Sequence, residues 1–331
     1  MKQNIIFIII FLCVCIIVSL IIYFMTNKQT SVTQSSSQPI TKSSSQPITQ
    51  SSSQPITQFT GQSTIINSLS TTTQNAIIYK SGASLSAGAY GLKLLYNGYF
   101  GPILKVRRSN DNSIADFYSD INGNFTLNIS GNGTSLINWL NGADAYITKW
   151  YDQTGNRNHA TQTEQNAQPK LNIVSKTINF MDNTFFNLPD GTHPFNNSEY
   201  SYIFKCSIGN SFGGIFGGGT MAYNQANAFR RADNGYNSYW FGNDLPSPTG
   251  YSDNSIITTK YSKTTNKRYI YKNGILLASN DSTNRIQTNN NNYIGKTGYT
   301  GHNEFMNGSL SYLYILPISI SQDEQVILEN T

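Results

Sequence analysis

The sequence predicts an all-β fold in which two antiparallel sheets pack as a sandwich. From about residue 172 onward, short runs of β-branched and aromatic residues alternate with clusters of Gly, Asn and Asp, which is typical of sandwiches and barrels. Near the end, RYIY and ILLA flank Lys272-Asn273-Gly274, and Asn-Gly is the strongest short hairpin signal. The 21 Tyr and the 12% of charged residues favour strands over a coiled coil or a charged disordered chain.

The first third of this globular part predicts strands mixed with short helices. The segments AGAYGLKLLY (87–96) and SLINWL (135–140) fit short helices, the second with Thr134 as its N-cap. Between them, residues 101–118 predict a strand, a polar turn and a second strand, and residues 145–153 predict a strand that ends in a turn. We therefore expect short helices near the N-terminal side of the sandwich.

The N-terminal segment predicts a membrane anchor over residues 1–25. Residues 5–25 read IIFIIIFLCVCIIVSLIIYFM, which is long enough as a helix to cross a hydrocarbon core of about 30 Å. A cleaved signal peptide has a shorter apolar region followed by small residues, and neither feature is present. One lysine on each side, Lys2 and Lys28, leaves the orientation open.

A stalk is predicted over residues 26–60. Its octads read SSSQPITK once and SSSQPITQ twice, at 35–42, 43–50 and 51–58. A Ser/Gln/Pro repeat cannot bury a core, and its prolines favour extended backbone. Either a spacer, with O-glycosylation as one option, or simple expansion of a tolerant linker accounts for the repeat. Both place the sandwich domain at 61–331.

Several classes of protein are excluded by composition. Two of the three cysteines lie in the apolar N-terminal segment, so Cys206 has no partner in the domain, and we expect it to be a buried strand residue. The histidines lie far apart, and we expect neither a metal nor another cofactor. The net charge of +5 comes from dispersed residues, which argues against a nucleic-acid partner.

Two stretches resemble a known family, the catalytic domain of fungal and bacterial α-L-arabinofuranosidase B. They are GAYGLKLLYNGYFGPILKVRRSNDNSIADF (88–117) and ITKWYDQTGNRNHATQ (147–162), and the WYDQ motif of the second is the more specific. The C-terminal pattern resembles the laminin-G/concanavalin-like sandwiches to which that domain belongs. The resemblance spans about 85–331 and implies a jelly-roll sandwich with arabinose-containing glycans as ligands.

The same resemblance implies that hydrolysis has been lost. A retaining glycosidase needs two carboxyl groups about 5 Å apart. Alignment with the family places Gly242, within FGNDL, at the nucleophile and Tyr299, within YIGKTGY, at the acid/base. The family's adjacent cysteine pair corresponds to NSFGGIFGGG (210–219). The leading hypothesis is therefore a non-catalytic glycan-binding domain.

Two other functions stay open. A shift of the alignment by one or two residues would make Asp244 and Glu304 a catalytic pair and the protein an active α-L-arabinofuranosidase. Asp244 lies two positions from Gly242, and residues two apart share a face of a strand. Alternatively, Asp244 is a turn residue and Glu304 is a solvated charge in a loop. In a third reading, the sandwich is only a structural surface scaffold.

The candidate carbohydrate-binding residues are Tyr239, Trp240, Asn243, Asp244 and Tyr299. Aromatic faces stack on sugar rings, and Asn and Asp side chains supply the polar contacts of a shallow glycan site. Strand alternation would place Tyr239 and Trp240 on opposite faces. We therefore expect part of this set to fill the core.

Localisation follows from the predicted anchor and stalk. We expect a single-pass membrane protein whose sandwich is extracellular, lumenal or on a virion surface. A glycosylated ectodomain would suit the six Asn-x-Ser/Thr sequons, although a chain so rich in Asn and Ser produces several by composition alone. The sequons begin at Asn124, Asn128, Asn132, Asn196, Asn280 and Asn307.

Removal of residues 1–26 should yield a soluble protein that still folds, because the predicted stalk separates the sandwich from the membrane. Gel filtration and circular dichroism of the truncated protein measure this. Aggregation of a protein that begins at residue 60 would contradict the domain boundary.

Overall fold

The computed structural model describes residues 69, 73–74, 87–95, 98–120, 122–125, 128–129, 134–282, 284–298 and 304–330. The predicted anchor and stalk, as well as Tyr299, lie outside these ranges. Within them, no helix is long and apolar enough to cross a bilayer. The fold described below is that of the predicted sandwich domain.

The described residues form nineteen β-strands and a few short helices. The strands are β1 (Gly88–Gly91), β2 (Leu104–Arg108), β3 (Ile114–Tyr118), β4 (Asn128–Ile129), β5 (Ala145–Trp150), β6 (Ala160–Thr161), β7 (Lys170–Asn172), β8 (Thr177–Phe180), β9 (Phe186–Asn187), β10 (Tyr200–Ile208), β11 (Gly214–Gly219), β12 (Ala226–Ala232), β13 (Gly235–Tyr239), β14 (Asp244–Ser247), β15 (Ser255–Ser262), β16 (Lys267–Lys272), β17 (Ile275–Asp281), β18 (Tyr293–Ile294) and β19 (Gly308–Leu316). Helix α1 is Leu136–Leu140, α2 is Gln322–Glu329, and a 3₁₀ turn covers Gln165–Ala167.

The strands form two antiparallel layers that meet at β5. The front sheet has the order β14-β13-β12-β11-β18-β9-β6. The back sheet has the order β17-β16-β15-β10-β19-β8-β7, with β1 also paired to β19. Strand β5 pairs with β6 of the front sheet and β7 of the back sheet, and also with β2. The predicted all-β antiparallel sandwich is confirmed.

Aromatic side chains fill the space between the two sheets. Tyr202 on β10 stacks on Phe216 of β11 with ring centroids 4.1 Å apart. Beside them, Phe204 meets Phe229 of β12 edge-on at 5.3 Å. All four rings are fully buried, and rings of this size each remove a large apolar area from water. This aromatic layer joins the front sheet to the back sheet.

The helix predicted over residues 87–96 is wrong. Residues Gly88–Gly91 instead form β1, a fully buried strand that pairs with Tyr312–Ile315 of β19. The Asp152 carboxylate accepts a hydrogen bond from the Ala89 amide at 3.0 Å, and the Gln153 amide donates to the Ala89 carbonyl at 2.8 Å. Partners more than 60 residues away therefore override the local helical pattern.

The predicted helix at 135–140 is confirmed, but with a different cap. Helix α1 begins after Ser135, whose hydroxyl accepts a hydrogen bond from the Asn138 amide at 3.2 Å. Thr134 is therefore not the N-cap. The helix ends at Asn141 in the left-handed region at φ 47°, a common way for asparagine to end a helix.

The predicted hairpins are also confirmed. Asn273 and Gly274 connect β16 to β17 with φ values of 47° and 77°, as an Asn-Gly hairpin requires. Strands β2 and β3 pair with Leu104 opposite Phe117. Both hairpins could be predicted because their turn and strand signals come from residues that are close together in the sequence.

The lone thiol of the domain should be inert in the folded protein. Cys206 is buried at 2% exposure, and this burial raises its pKa to about 12. Since the thiolate is the reactive form, iodoacetamide near neutral pH should modify Cys206 only as the protein unfolds. Peptide mapping separates it from Cys13 and Cys15, and the urea-unfolded protein is the control. Rapid modification of Cys206 in the native protein would contradict its burial.

Candidate functional site

The candidate site is built around a two-stranded projection between β18 and β19, which we call the arm (residues 295–298 and 304–306). The Gly295 amide donates to the Ile215 carbonyl of β11 at 2.8 Å, and the Met306 amide donates to the Gly295 carbonyl at 2.8 Å. Further out, the Thr297 amide donates to the Glu304 carbonyl at 3.3 Å. These bonds place the arm directly on the glycine-rich strand β11.

Two glycines of β11 allow this close approach. A Cβ added to Gly217 would lie 2.1 Å from the Thr297 carbonyl oxygen, and one added to Gly214 would lie 2.2 Å from the Glu304 carbonyl oxygen. Backbone atoms cannot move aside as a flexible side chain does, and so any other residue would displace the arm. The run at 210–219 thus has a packing role under Thr297 and Glu304.

Lys296 fixes the other side of the arm. Its ammonium lies 3.8 Å from the ring centroids of both Phe185 and Tyr293, and 5.9 Å from that of Phe305. The residue is only 6% exposed, and burial lowers its pKa to about 8. Cation–π attraction to these rings holds the arm against β9 and β18. The next residue, Thr297, points the opposite way, because side chains alternate along an extended chain.

An ion pair joins the arm to the front sheet. Arg230 of β12 lies opposite Gly214 of β11 and forms a salt bridge through Nη1 with Oε1 of Glu304. The Thr297 hydroxyl donates to the other carboxylate oxygen, Oε2, at 3.1 Å. Both members of the ion pair are half-buried, so solvent screens their attraction less than it would at an open surface.

Two aromatic rings flank the Arg230 guanidinium. Tyr239 of β13 lies with its ring centroid 5.1 Å from the guanidinium carbon, and Phe212 lies at 5.6 Å. Phe212 is 48% exposed, whereas Tyr239 is buried. Burial, and after it the negative charge of Glu304, raises the Tyr239 pKa. Tyr239 therefore keeps its phenolic proton and can donate a hydrogen bond at physiological pH.

Asp244 contributes a second carboxylate to the surroundings of Arg230 and Tyr239. It lies directly opposite Tyr239 across the β13–β14 pair. The residue is exposed, but partial removal of water from its carboxyl raises its pKa. A hydrogen bond from Asn237 and the charges of Arg268 and Arg230 act in the opposite direction. We call Arg230, Asn237, Tyr239, Asp244, Thr297 and Glu304 together the Arg230 cluster.

Two polar atoms of the Arg230 cluster are buried without a hydrogen-bond partner among the described residues. They are the Oδ1 acceptor of Asn237 and the Nε–H donor of Arg230. The two residues lie opposite each other on neighbouring strands. Buried polar groups almost always find a partner in the protein, in ordered water or in a ligand. Both atoms have almost no contact with solvent, as do six other unpartnered side-chain atoms of the described residues.

Trp240 and Asn243 occupy different surroundings from Tyr239. Trp240 is fully buried on the other face, and its ring centroid lies 4.2 Å from the guanidinium carbon of Arg268 and 5.5 Å from that of Arg285. Asn243 accepts a hydrogen bond from Arg268 at 3.4 Å and donates one to Asn224 at 2.9 Å. Trp240 thus presents no face to a sugar, and the Asn243 amide is already engaged within the protein.

The position aligned with the family nucleophile lies in a turn. Gly242 connects β13 to β14 and has φ +75°, a conformation that residues with a side chain rarely adopt. Tyr299, aligned with the acid/base, is outside the described residues. Of the residues predicted from sequence, the structure brings Tyr239, Asp244 and Glu304 into the Arg230 cluster.

Arg230, Asn237 and Thr297 were missed from the sequence. In NAFRRA (227–232), strand alternation does separate Arg230 from Arg231. Arg231 indeed turns to Tyr251, with its guanidinium carbon 3.7 Å from the ring centroid. The choice between the two arginines depended on the arm, whose Glu304 is 74 residues further along the chain.

Comparison with known proteins supports the fold. No family model and no curated protein matches the sequence. Among solved structures, the chain is similar to arabinofuranosidases of glycoside hydrolase family 54. One was soaked with 4-nitrophenyl α-L-arabinofuranoside, with a TM-score of 0.54, and one with a cyclic sulfate inhibitor, with a TM-score of 0.55. A third arabinofuranosidase, in complex with arabinofuranosyl-α-1,2-xylobiose, has a TM-score of 0.55.

These likenesses are distant. Sequence identity is 13% in each case, and the alignments cover 74% of this chain and 62–63% of the other chains. The chain thus spans less than two thirds of the length of those enzymes. The described domain has the fold of these arabinofuranosidases, and its function has to be argued from its own residues.

Substitution of Gly217 by alanine should displace the arm. The new Cβ would overlap the Thr297 carbonyl oxygen, and overpacking of this kind costs about 1–3 kcal/mol of stability. Urea unfolding measures the loss, and faster hydrogen exchange of the Met306 amide locates it. Gly209→Ala is the control, because its Cβ would come no closer than 3.3 Å to another atom. Equal stability of the two variants would contradict the close packing of the arm.

Proposed function

We propose that this sandwich binds a glycan at the Arg230 cluster without hydrolysing it, and that arabinose-containing glycans are the class to test first. The observation that carries the proposal is the grouping of the charged and phenolic side chains of the Arg230 cluster beside the exposed ring of Phe212. A sugar hydroxyl both donates and accepts hydrogen bonds, as serine and threonine hydroxyls do. Sugar hydroxyls can therefore donate to the carboxylate oxygen atoms of the cluster and accept from its guanidinium and phenolic hydrogen atoms.

The surroundings of these atoms also suit a sugar. The exposed Phe212 ring lies beside Arg230 and offers an apolar surface for the C–H face of a sugar ring. The Asp244 carboxyl and the Tyr239 hydroxyl supply a further acceptor and donor. A small number of convergent polar groups beside an aromatic surface is typical of ligand sites.

The engagement of Glu304 favours binding over hydrolysis. One of its carboxylate oxygens pairs with Arg230, and the other accepts the Thr297 hydroxyl. A nucleophile must place an oxygen on the anomeric carbon of the substrate, and for Glu304 this would compete with one of these contacts. The turn conformation of Gly242 is in line with a site that has no carboxylate at the family's nucleophile position.

Hydrolysis is the second candidate, and one observation favours it. Asp244 and Glu304 both lie in the Arg230 cluster, and their surroundings differ. The Asp244 pKa is raised, which suits a proton donor, while Glu304 pairs with an arginine, which suits a carboxylate nucleophile. Two carboxyl groups in different surroundings, one partly removed from water and one paired with a cation, are the pattern of an acid and a nucleophile in glycosidases.

We also propose that residues 5–25 anchor the protein in a membrane and that residues 26–60 hold the sandwich away from it. The length and uniform apolarity of the first segment and the repeated octads of the second support this arrangement. A glycan-binding domain on such a stalk would act at an extracellular, lumenal or virion surface.

The binding proposal is tested with arabino-oligosaccharides and the purified full-length protein by isothermal titration calorimetry. Arg230→Gln should weaken binding about tenfold or more, because a hydrogen bond to a charged group contributes about 1.5–3 kcal/mol. Arg231→Gln is the matched control, because this neighbouring arginine packs on Tyr251 instead. Equal losses in both variants, or none in either, would contradict binding at the Arg230 cluster.

The non-catalytic part of the proposal is tested with 4-nitrophenyl α-L-arabinofuranoside. The wild-type protein should release no nitrophenol above the buffer rate. Turnover that Asp244→Asn or Glu304→Gln abolishes would show that the domain is an enzyme and would support the second candidate. If neither turnover nor glycan binding is found, the sandwich is a structural scaffold.

A further inference from the structure

A row of polar and charged side chains crosses the outer face of the back sheet, away from the Arg230 cluster. Residues directly opposite each other on neighbouring strands share a face, and here the pairing continues over six strands, β2, β5, β7, β8, β19 and β10. At about 4.8 Å per strand, the row spans roughly 24 Å. We call it the polar row, and its members in spatial order are Arg107, Tyr146, Lys170, Asn179, Ser309 and Ser207.

The polar row lies in a continuous groove. Three cavities of about 800, 550 and 310 Å³ follow it, and Lys170 and Asn179 line all three. The largest cavity extends to Lys205 and Ser207 on β10, and the second reaches Arg107 and Tyr146. The groove is therefore long enough to hold an extended ligand.

The groove begins where the outward side chains of β10 change from apolar to polar. At the other end of the same outer face, Ile203 and Tyr314 pack under Ile320 and under Leu328 of helix α2. Two residues along β10 from Ile203, the outward side chain is Lys205, which is followed by Ser207. One part of the outer face thus carries apolar side chains that pack against helix α2, and the other part carries amide, hydroxyl and amine groups.

The groove is positively charged. Lys170, Lys205 and Arg107 line it, and Asp144 is the one carboxylate among the described lining residues. Asp144 pairs with Lys170 at 2.7 Å. Arg107 is held by two neutral side chains, Gln168 and Asn112. Two cations of the groove therefore have no carboxylate partner in the described part of the chain.

We propose that this groove binds an acidic oligosaccharide, that is, an extended sugar chain with carboxylate or sulfate groups. The cations would pair with the acidic groups, and the amide and hydroxyl side chains would hydrogen-bond the sugar hydroxyls. Met181, 61% exposed, is the one large exposed apolar side chain along the described groove, which disfavours an apolar partner. The groove is a second site and does not depend on the Arg230 cluster.

The test uses the full-length protein made in bacteria, so that the sequon at Asn307, at the end of the groove, carries no glycan. Oligogalacturonate supplies carboxylates, carrageenan oligosaccharides supply sulfates, and methyl-esterified oligogalacturonate is the uncharged control. At least one acidic chain should bind in calorimetry, more weakly as salt is raised, and the ester should not. Binding of one acidic chain but not the other shows whether the groove recognises carboxylate or sulfate groups.

Substitution of the two lysines locates the binding. Lys170→Gln/Lys205→Gln should bind the acidic chain about tenfold more weakly. Lys263→Gln/Lys267→Gln is the matched control, because it removes the same charge outside the groove and Lys267, like Lys170, pairs with an aspartate. Asn179→Asp, which adds a carboxylate in the middle of the row at constant size, should also weaken binding.

Three results would overturn the proposal. One is the absence of binding by either acidic chain. The second is an equal loss in the two double-lysine variants, which would indicate unspecific attraction to a basic protein. The third is unchanged binding in both Lys170→Gln/Lys205→Gln and Asn179→Asp, with unaltered circular dichroism. Arg230→Gln should leave this binding intact, which separates the groove from the proposed arabinose site.

Discussion

The close approach of the arm to strand β11 is the constraint on which the candidate site depends. Because Gly214 and Gly217 carry no side chain, the carbonyl oxygens of Glu304 and Thr297 can approach to 2.2 and 2.1 Å from the positions that a Cβ would take. Arg230 lies opposite Gly214, so the same contact that positions the arm also brings Glu304 to an arginine. The remaining members of the Arg230 cluster follow from the ladder of β12, β13 and β14. A glycine-rich strand thus determines where the charges of the site meet.

The two outer faces of the sandwich differ in the elements that pack on them and in the side chains that they carry. On the front face, the arm packs on β11, and the polar side chains of the Arg230 cluster lie beside the exposed ring of Phe212. The back face is covered by helix α2 at one end and is open and basic at the other. Between the faces lies a core that holds two fully buried arginines around Trp240. Amide and carbonyl oxygens accept hydrogen bonds from both guanidinium groups, which offsets part of the cost of burying them.

Features set by neighbouring residues could be predicted from the sequence, and features set by distant partners could not. The Asn273-Gly274 hairpin and the β2–β3 pair have local signals, and both were predicted. The local pattern of residues 87–96 predicts a helix, whereas the burial of strand β1 depends on β19, which is more than 200 residues away. Tyr239, Asp244 and Glu304 could be named because they lie near positions of the family motif. Arg230 and Asn237 could not, because their roles arise from the arm and from cross-strand pairing.

The function proposed for the polar side chains of the Arg230 cluster is the binding of a sugar. A crystal structure of the protein soaked with an arabinofuranosyl oligosaccharide tests it most directly. We expect a sugar ring beside Phe212, with hydroxyl groups within hydrogen-bond distance of the Asp244 carboxyl group and the Arg230 guanidinium group. A sugar bound elsewhere on the domain, with these two groups in contact only with the protein itself or with water, would contradict this proposal.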